Sequence, residues 1–136
     1  MTNFDEYRDV FVVADTIDDV VHPVTYELIG QARRIAKELG QLVQVMLLGE
    51  NVQAEAEELV AHGADIVHVF ESPLLKYYTT DGYTKVLTDF FEDHKPNILL
   101  IGATNNGRDL APRMSGRMQN GVVADCTILT VDKVGR

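Results

Sequence analysis

An α/β domain built on an open, mostly parallel sheet sandwiched by helices is the fold class that this 136-residue sequence predicts. Three observations predict it. Short apolar runs rich in β-branched residues recur along the chain. They are continuous rather than alternating, as in strands covered on both faces. Between them lie segments whose apolar residues repeat at helical spacing. The order therefore reads β-α-β-α-β-α-β-α-β, the alternation of layered α/β folds with right-handed crossovers.

VFVVA at 10–14 is the first strand. Val24, Leu28, Ala32, Ile35, Ala36 and Leu39 give the first helix its apolar face, with Arg33, Arg34, Lys37 and Glu38 opposite and Gly40 at the C-cap position. LVQVMLL at 42–48 is the second strand. Val52, Ala56, Leu59 and Val60 form the next helical face, ended by Gly63. IVHVF at 66–70 is the third strand. ESPLLKYYTTDG at 71–82 is the longest irregular stretch and is expected to be a surface loop. Tyr83, Val86, Leu87, Phe90 and Phe91 mark the third helix, which stops before Lys95-Pro96. ILLI at 98–101 is the fourth strand; Leu110, Met114 and Met118 mark the fourth helix, and CTILTV at 126–131 the fifth strand. There is no repeat, low-complexity tract or flexible linker. Residues 1–136 thus form one domain, and the end at DKVGR soon after a fifth strand suggests a piece of a longer protein.

The formal net charge is −9, which argues against a nucleic-acid partner, since phosphates demand Lys and Arg. No apolar run approaches the ~20 residues of a membrane helix, so membrane insertion is not expected. MTNFDEYRDV lacks the features of a signal peptide. The single cysteine, Cys126, has no internal disulfide partner, and a cytoplasmic location is expected.

In open α/β sheets ligands sit beyond the carboxyl ends of the strands, where the strand order reverses. Two polar loops follow central strands here: Asp15-Thr16-Ile17-Asp18-Asp19, whose acidity repels phosphate, and the stretch from Ala103 to Asp109. The second, within IGATNNGRDLAPRMSGRM, reads as a strand entering a glycine-containing turn. A helix follows with Arg108 and Asp109 in its first turn and Pro112 still within that turn. Free N–H groups at such a start favour an anion, so Thr104, Asn105, Asn106, Gly107 and Arg108 are the candidate nucleotide or anion loop. The bland reading is a capped helix with Asp109 favouring its positive end. Arg108, Arg113 and Arg117 then meet solvent or an acidic partner surface. GxGxxG, the P-loop pattern and a nucleophile elbow are all absent.

No other constellation carries chemistry. His62 and His68 lack a Cys or carboxylate to complete a metal set, and His22 and His94 are isolated. Cys126 reads as a packed small hydrophobe, Met46, Met114 and Met118 as core filler, and Glu55, Glu57 and Glu58 as a solvated helix face. Tyr77, Tyr78 and Tyr83 suggest an aromatic patch, although Tyr83 also fits the third helix's apolar face. No catalytic residues and no metal site are assigned.

GATNNGRDLAPRMSGRM followed by GVVADCTIL resembles the N-terminal domain of the electron transfer flavoprotein alpha subunit family. Its GAT-x-x-GRDLAPR-x-x-x-R segment matches Gly102, Ala103, Thr104, Gly107, Arg108, Asp109, Leu110, Ala111, Pro112, Arg113 and Arg117. Its G-x-x-ADCT segment matches Gly121, Ala124, Asp125, Cys126 and Thr127. VFVVAD, LGQLVQVMLLGEN and HGADIVHVFESPLLKYYTTDGYTKVL extend the resemblance over essentially the whole chain. It implies an adenine nucleotide alpha-hydrolase-like fold with strand order 3-2-1-4-5. It implies a heterodimer with a beta subunit of similar fold, dehydrogenases as electron donors, and FAD held by a C-terminal domain that does not follow Arg136. Family likeness also implies that the alpha subunit's nucleotide pocket is unused, so no FAD-binding residue is assigned here. Arg108, Asp109, Arg113 and Arg117 are expected to be interface or structural residues of a docking domain in an electron carrier. The alternative is a stand-alone adenine-nucleotide-binding domain that uses the 102–109 loop. Against it, Gly102 and Gly107 depart from the G-x-x-G-x9-G-[ST] phosphate signature of stress proteins, and Arg117 follows Gly116.

Overall fold

A computed structural model describes residues 8–94, 96–102, 104–117 and 122–126. Its elements in chain order are β1 (Val10–Val13), β2 (Thr16–Ile17), β3 (Val20–Val21), α1 (Val24–Leu39), β4 (Val43–Gly49), α2 (Gln53–Ala61) and β5 (Ile66–Glu71). A 3-10 turn (Pro73–Leu75), α3 (Thr80–Asp93), β6 (Ile98–Gly102), α4 (Asn105–Arg117) and β7 (Val122–Cys126) complete it.

Five strands form one sheet in the order β5-β4-β1-β6-β7, every neighbouring pair parallel. Counted along the chain, that is the expected 3-2-1-4-5. The continuous apolar runs have their explanation in the two cores. Successive strand side chains point to opposite faces, so Val10 and Val12 join Val43, Val45 and Leu47 beneath α1 and α2. Phe11 and Val13 join Met46, Leu48, Leu99 and Ile101 beneath α3 and α4. The runs in β1, β4 and β6 thus feed two cores and have no face left for solvent, whereas β5 at the sheet edge is only partly covered.

Local signals hold where the chain itself closes the hydrogen bonds. Gly40, at φ 66°, takes the left-handed conformation that ends α1. The Gly40 N–H donates to the Lys37 carbonyl and the Gln41 N–H to that of Ala36, which satisfies two of the helix's terminal acceptors.

Four expectations need correction. The acidic 15–19 segment is not an open loop, because Thr16–Ile17 pairs antiparallel with Val20–Val21. The 71–82 stretch is mostly ordered: β5 runs to Glu71, the 3-10 turn follows, and α3 already starts at Thr80. Ser72 accepts from the Leu74 N–H and Thr79 from the Gly82 N–H, two caps supplied by a segment read as loop. The helix after the fourth strand begins at Asn105. Arg108 closes its first turn, Asp109 lies just beyond that turn, and Pro112 sits inside the helix, where it has no N–H to offer the Arg108 carbonyl. The fifth strand is Val122–Cys126, four residues earlier than expected, because its pairing with β6 is fixed in parallel register from Ile98↔Val122 to Gly102↔Cys126. Met118 and residues 127–131 lie outside the described residues.

Candidate functional site

The strand order reverses at β1, which pairs with β4 on one side and β6 on the other. The carboxyl ends of β1 and β6 therefore open side by side, where open α/β sheets hold ligands. The cleft there has Val13, Ala14 and Asp15 on one wall, Ile101, Gly102 and Gly107 on the other, and Tyr78 and Tyr83 across it. It encloses about 20 Å³, far below the roughly 300–1,000 Å³ of sites that bury a small organic ligand.

The Thr104–Arg108 loop is closed on itself. Thr104 is the N-cap of α4: its hydroxyl accepts from the Gly107 N–H at 3.0 Å, and its carbonyl accepts from the Arg108 N–H at 2.8 Å. The Gly107 N–H is thus already spent within the chain. A Cβ at Gly107 would stand 1.8 Å from the Gly102 carbonyl oxygen, so glycine lets α4 press on the end of β6. Both facts favour the capped-helix reading over a phosphate cradle. Asn106 reaches the cleft; the side chain of Asn105 lies outside the described part of the structure.

Asp109 does not cap α4, which starts four residues before it. Its carboxylate accepts from the Tyr78 hydroxyl at 2.8 Å and from the Thr80 hydroxyl, tying α4 to the first turn of α3. These two hydrogen bonds, Thr80 first, hold its carboxyl below the ordinary value of 3.8. Burial foremost, helped by the Asp109 carboxylate and opposed by the Thr80 hydroxyl, pushes the Tyr78 phenol up to about 12. One turn on, Arg113 meets Asp81 of α3 at 3.4 Å across an exposed pair, worth little to stability. Arg108 is exposed, and no described carboxylate is in ion-pair reach of it. Arg113 and Arg108 share the solvent face of α4 with Asp109 and Pro112. The side chain of Arg117, the last residue of the helix, lies outside the described part.

A carboxyl whose folded pKa is depressed contributes stability above its unfolded pKa and loses it as pH falls through the folded value. Lowering the pH past 3.8 is therefore expected to loosen the Tyr78–Asp109–Thr80 contact. Carboxyl-carbon NMR of Asp109 should titrate with a midpoint under 3.8. A midpoint at or above it would mean that the two hydroxyls do not bond the carboxylate in solution.

The opposite wall is acidic. Asp18 and Asp19 turn the β2–β3 hairpin, with φ 51° and 63°, the left-handed backbone that two-residue hairpin turns need. The Asp19 carboxylate accepts from the N–H groups of Glu50 and Asn51 at 2.9 and 3.2 Å, fastening the hairpin to the end of β4. Beneath it, buried Thr16 donates to the Leu48 carbonyl and lies 3.2 Å from the Tyr83 hydroxyl. Burial raises the Tyr83 phenol's pKa, helped by the charges of Asp15 and Asp19 and opposed by the Thr16 hydrogen bond. The carboxylates on this wall disfavour a phosphate close to it.

The remaining candidates have structural partners. The His22 ring accepts from the Val24 N–H at the start of α1. His62 packs on Tyr26 with ring centroids 4.1 Å apart. His68, its pKa lowered by burial, bonds Gln44, and His94 stacks on Phe90. Met46 and Met114 are fully buried, whereas the side chain of Cys126 lies outside the described part. Among the described residues no three His, Cys, Asp or Glu side chains gather into a metal-binding group, and no helix is long and apolar enough to cross a membrane. Sequence reasoning missed Thr16, Thr80 and Asp81, ordinary polar residues whose partners stand 29 to 67 positions away.

Comparison with known proteins agrees with this frame. Solved structures share the fold at low identity. A universal stress protein from Archaeoglobus fulgidus, determined in complex with dAMP, has a TM-score of 0.57 and 16% identity, covering 89% of this chain and 98% of its own. Sequence relatives are much nearer. The electron transfer flavoprotein subunit alpha of Megasphaera elsdenii is 46% identical over 127 residues, 93% of this chain and 38% of that protein. The lactate dehydrogenase (NAD(+),ferredoxin) subunit LctC of Acetobacterium woodii is 47% identical over 123 residues, 90% of this chain and 29% of that protein. The chain thus spans roughly a third of the length of these relatives. The stand-alone nucleotide-binding alternative is not favoured, since its support is a shared fold. With the electron transfer flavoprotein domain matched over residues 10–136, on a parallel sheet in the order expected of it, the chain belongs to the electron transfer flavoprotein domain family.

Proposed function

We propose that residues 1–136 are the N-terminal docking domain of an electron transfer flavoprotein alpha subunit, and that the domain works as a scaffold. Paired with a beta subunit, it forms part of a cytoplasmic heterodimer that carries electrons from dehydrogenases through FAD bound outside this chain. It is a carrier subunit rather than an enzyme. The carrying observation is the 46% identity to an alpha subunit over 93% of the chain. The closed Thr104–Arg108 loop supports the assignment of the flavin elsewhere. Arg108, Asp109 and Arg113 lie on α4 and Arg117 ends it; Asp109 braces α4 against the start of α3, and the exposed Arg108 and Arg113, with Arg117, are assigned to the contact with the beta subunit.

The test is a titration of the chain with the beta subunit, preceded by an absorbance spectrum and mass spectrometry of anything released on denaturation. The chain alone is expected to be colourless and to release no adenine nucleotide. Replacing Arg108 and Arg113 with Ala should weaken association about tenfold, mainly through the association rate if these are rim charges. The fold should survive, because exposed ion pairs contribute little. Stoichiometric flavin or nucleotide, or unchanged affinity, would overturn the assignment.

A further inference from the structure

Beside the α4 face, the carboxyl end of the sheet holds out a second group of side chains. In the β2–β3 hairpin the inner pair, Thr16 and Val21, is buried. The outer pair, Ile17 and Val20, is 59% and 68% exposed, and Leu74 and Tyr77 after β5 are 84% and 62% exposed. These two segments are joined. The Lys76 ammonium lies 3.6 Å from Asp18 and 5.8 Å above the Tyr77 ring.

A small hairpin that turns its apolar pair outward needs a reason, because no described residue covers that pair. The hairpin is also fixed. Asp18 and Asp19 hold the left-handed backbone of a two-residue hairpin turn. The Asp19 carboxylate is anchored on two N–H groups. The charges around it are lopsided: Asp18, Asp19 and Glu50 border the spot, with Lys76 as their counter-charge, and the Glu71 carboxylate feels Asp19. The segment 76–81 runs from here to Tyr78, Thr80 and Asp81, which touch Asp109 and Arg113 of α4. The rim is thus continuous with the arginine face.

We propose that Ile17, Val20, Leu74 and Tyr77 form the apolar centre of the surface on which the beta subunit docks, and that the beta subunit meets it with an apolar patch bordered by Lys or Arg. This rests on the docking-domain reading above. Apolar centres inside charged rims are the usual anatomy of such contacts, and a few central side chains carry most of the affinity.

The experiment is a titration of the chain with its beta subunit, for the wild type, for Ile17→Ser/Val20→Ser and for Leu74→Ser alone. Leu74 lies on the 3-10 turn, away from the hairpin, so its variant keeps the test valid if the double variant misfolds. Each is expected to raise Kd at least about tenfold, and wild-type association should slow as salt rises. If wild type fails to bind, the docking-domain reading falls. If wild type binds and both folded serine variants bind equally well, this surface is not the contact, whatever the Arg108 and Arg113 variants do.

Discussion

Replacing Gly107 with Ala is expected to destabilise the protein by about 3 kcal/mol, the range of a forced backbone overlap. The added methyl would sit 1.8 Å from the Gly102 carbonyl oxygen and 2.9 Å from its carbon. Neither is the movable end of a side chain, so α4 must lift from the end of β6 or bend. Lifting it disturbs buried Leu110, Ala111 and Met114 on the same helix. The same substitution at Gly30, mid-helix in α1 with nothing within 4 Å of the added methyl, should instead stabilise by about 0.5–1 kcal/mol. Urea unfolding of the two variants checks both signs. Equal, small effects would show that α4 does not rest on β6 as described, and the packing account of Gly107 would fail. A phosphate cradle makes a different forecast, in which the alanine variant keeps its stability and loses a ligand.

Phe11→Ala should cost more, about 3–5 kcal/mol, as large-to-small changes do in a core that cannot collapse. Phe11 is 2% exposed in the middle of the sheet. Its ring meets Phe91 edge-on at 5.3 Å and Phe90 at 6.3 Å, and lies parallel to the His68 ring at 6.4 Å. Removing it empties the space between β1 and α3, and the neighbouring rings cannot fill it without leaving their own contacts. The urea midpoint is expected to drop with the slope unchanged. A loss under about 1 kcal/mol would mean that α3 closes onto the sheet and the aromatic cluster is less tightly packed than its geometry implies.

The two effects differ in how far the sequence foretells them. Phe11 lies in an apolar run that any reading makes a buried strand. Gly107 is visible only as a glycine in a polar turn, which fits a phosphate loop as well as it fits a packing contact. Its role depends on where the Gly102 carbonyl comes to lie, a distance that the spacing of residues does not encode. The same holds for Asp109. As a residue near a helix start it suggests a dipole partner. The helix begins four residues earlier, at Asn105, and the carboxylate turns to Tyr78 and Thr80.

By itself the sequence determined the α/β class, the four helices, the first four parallel strands, the Gly40 cap and, through its resemblance, the 3-2-1-4-5 strand order. These rest on periodicity, on local backbone chemistry and on long motifs, all written in neighbouring residues. The tertiary structure alone decided that the 15–19 segment is a hairpin and that Thr104 closes the loop on itself. It alone joined Tyr78, Thr80 and Asp81 to α4, and turned Ile17, Val20, Leu74 and Tyr77 outward together. The physical reason is that a hydrogen bond or an apolar contact acts over a few ångströms of space. Which distant residues fall within that range is known only once the sheet has set the register of its strands and the helices have settled on its faces.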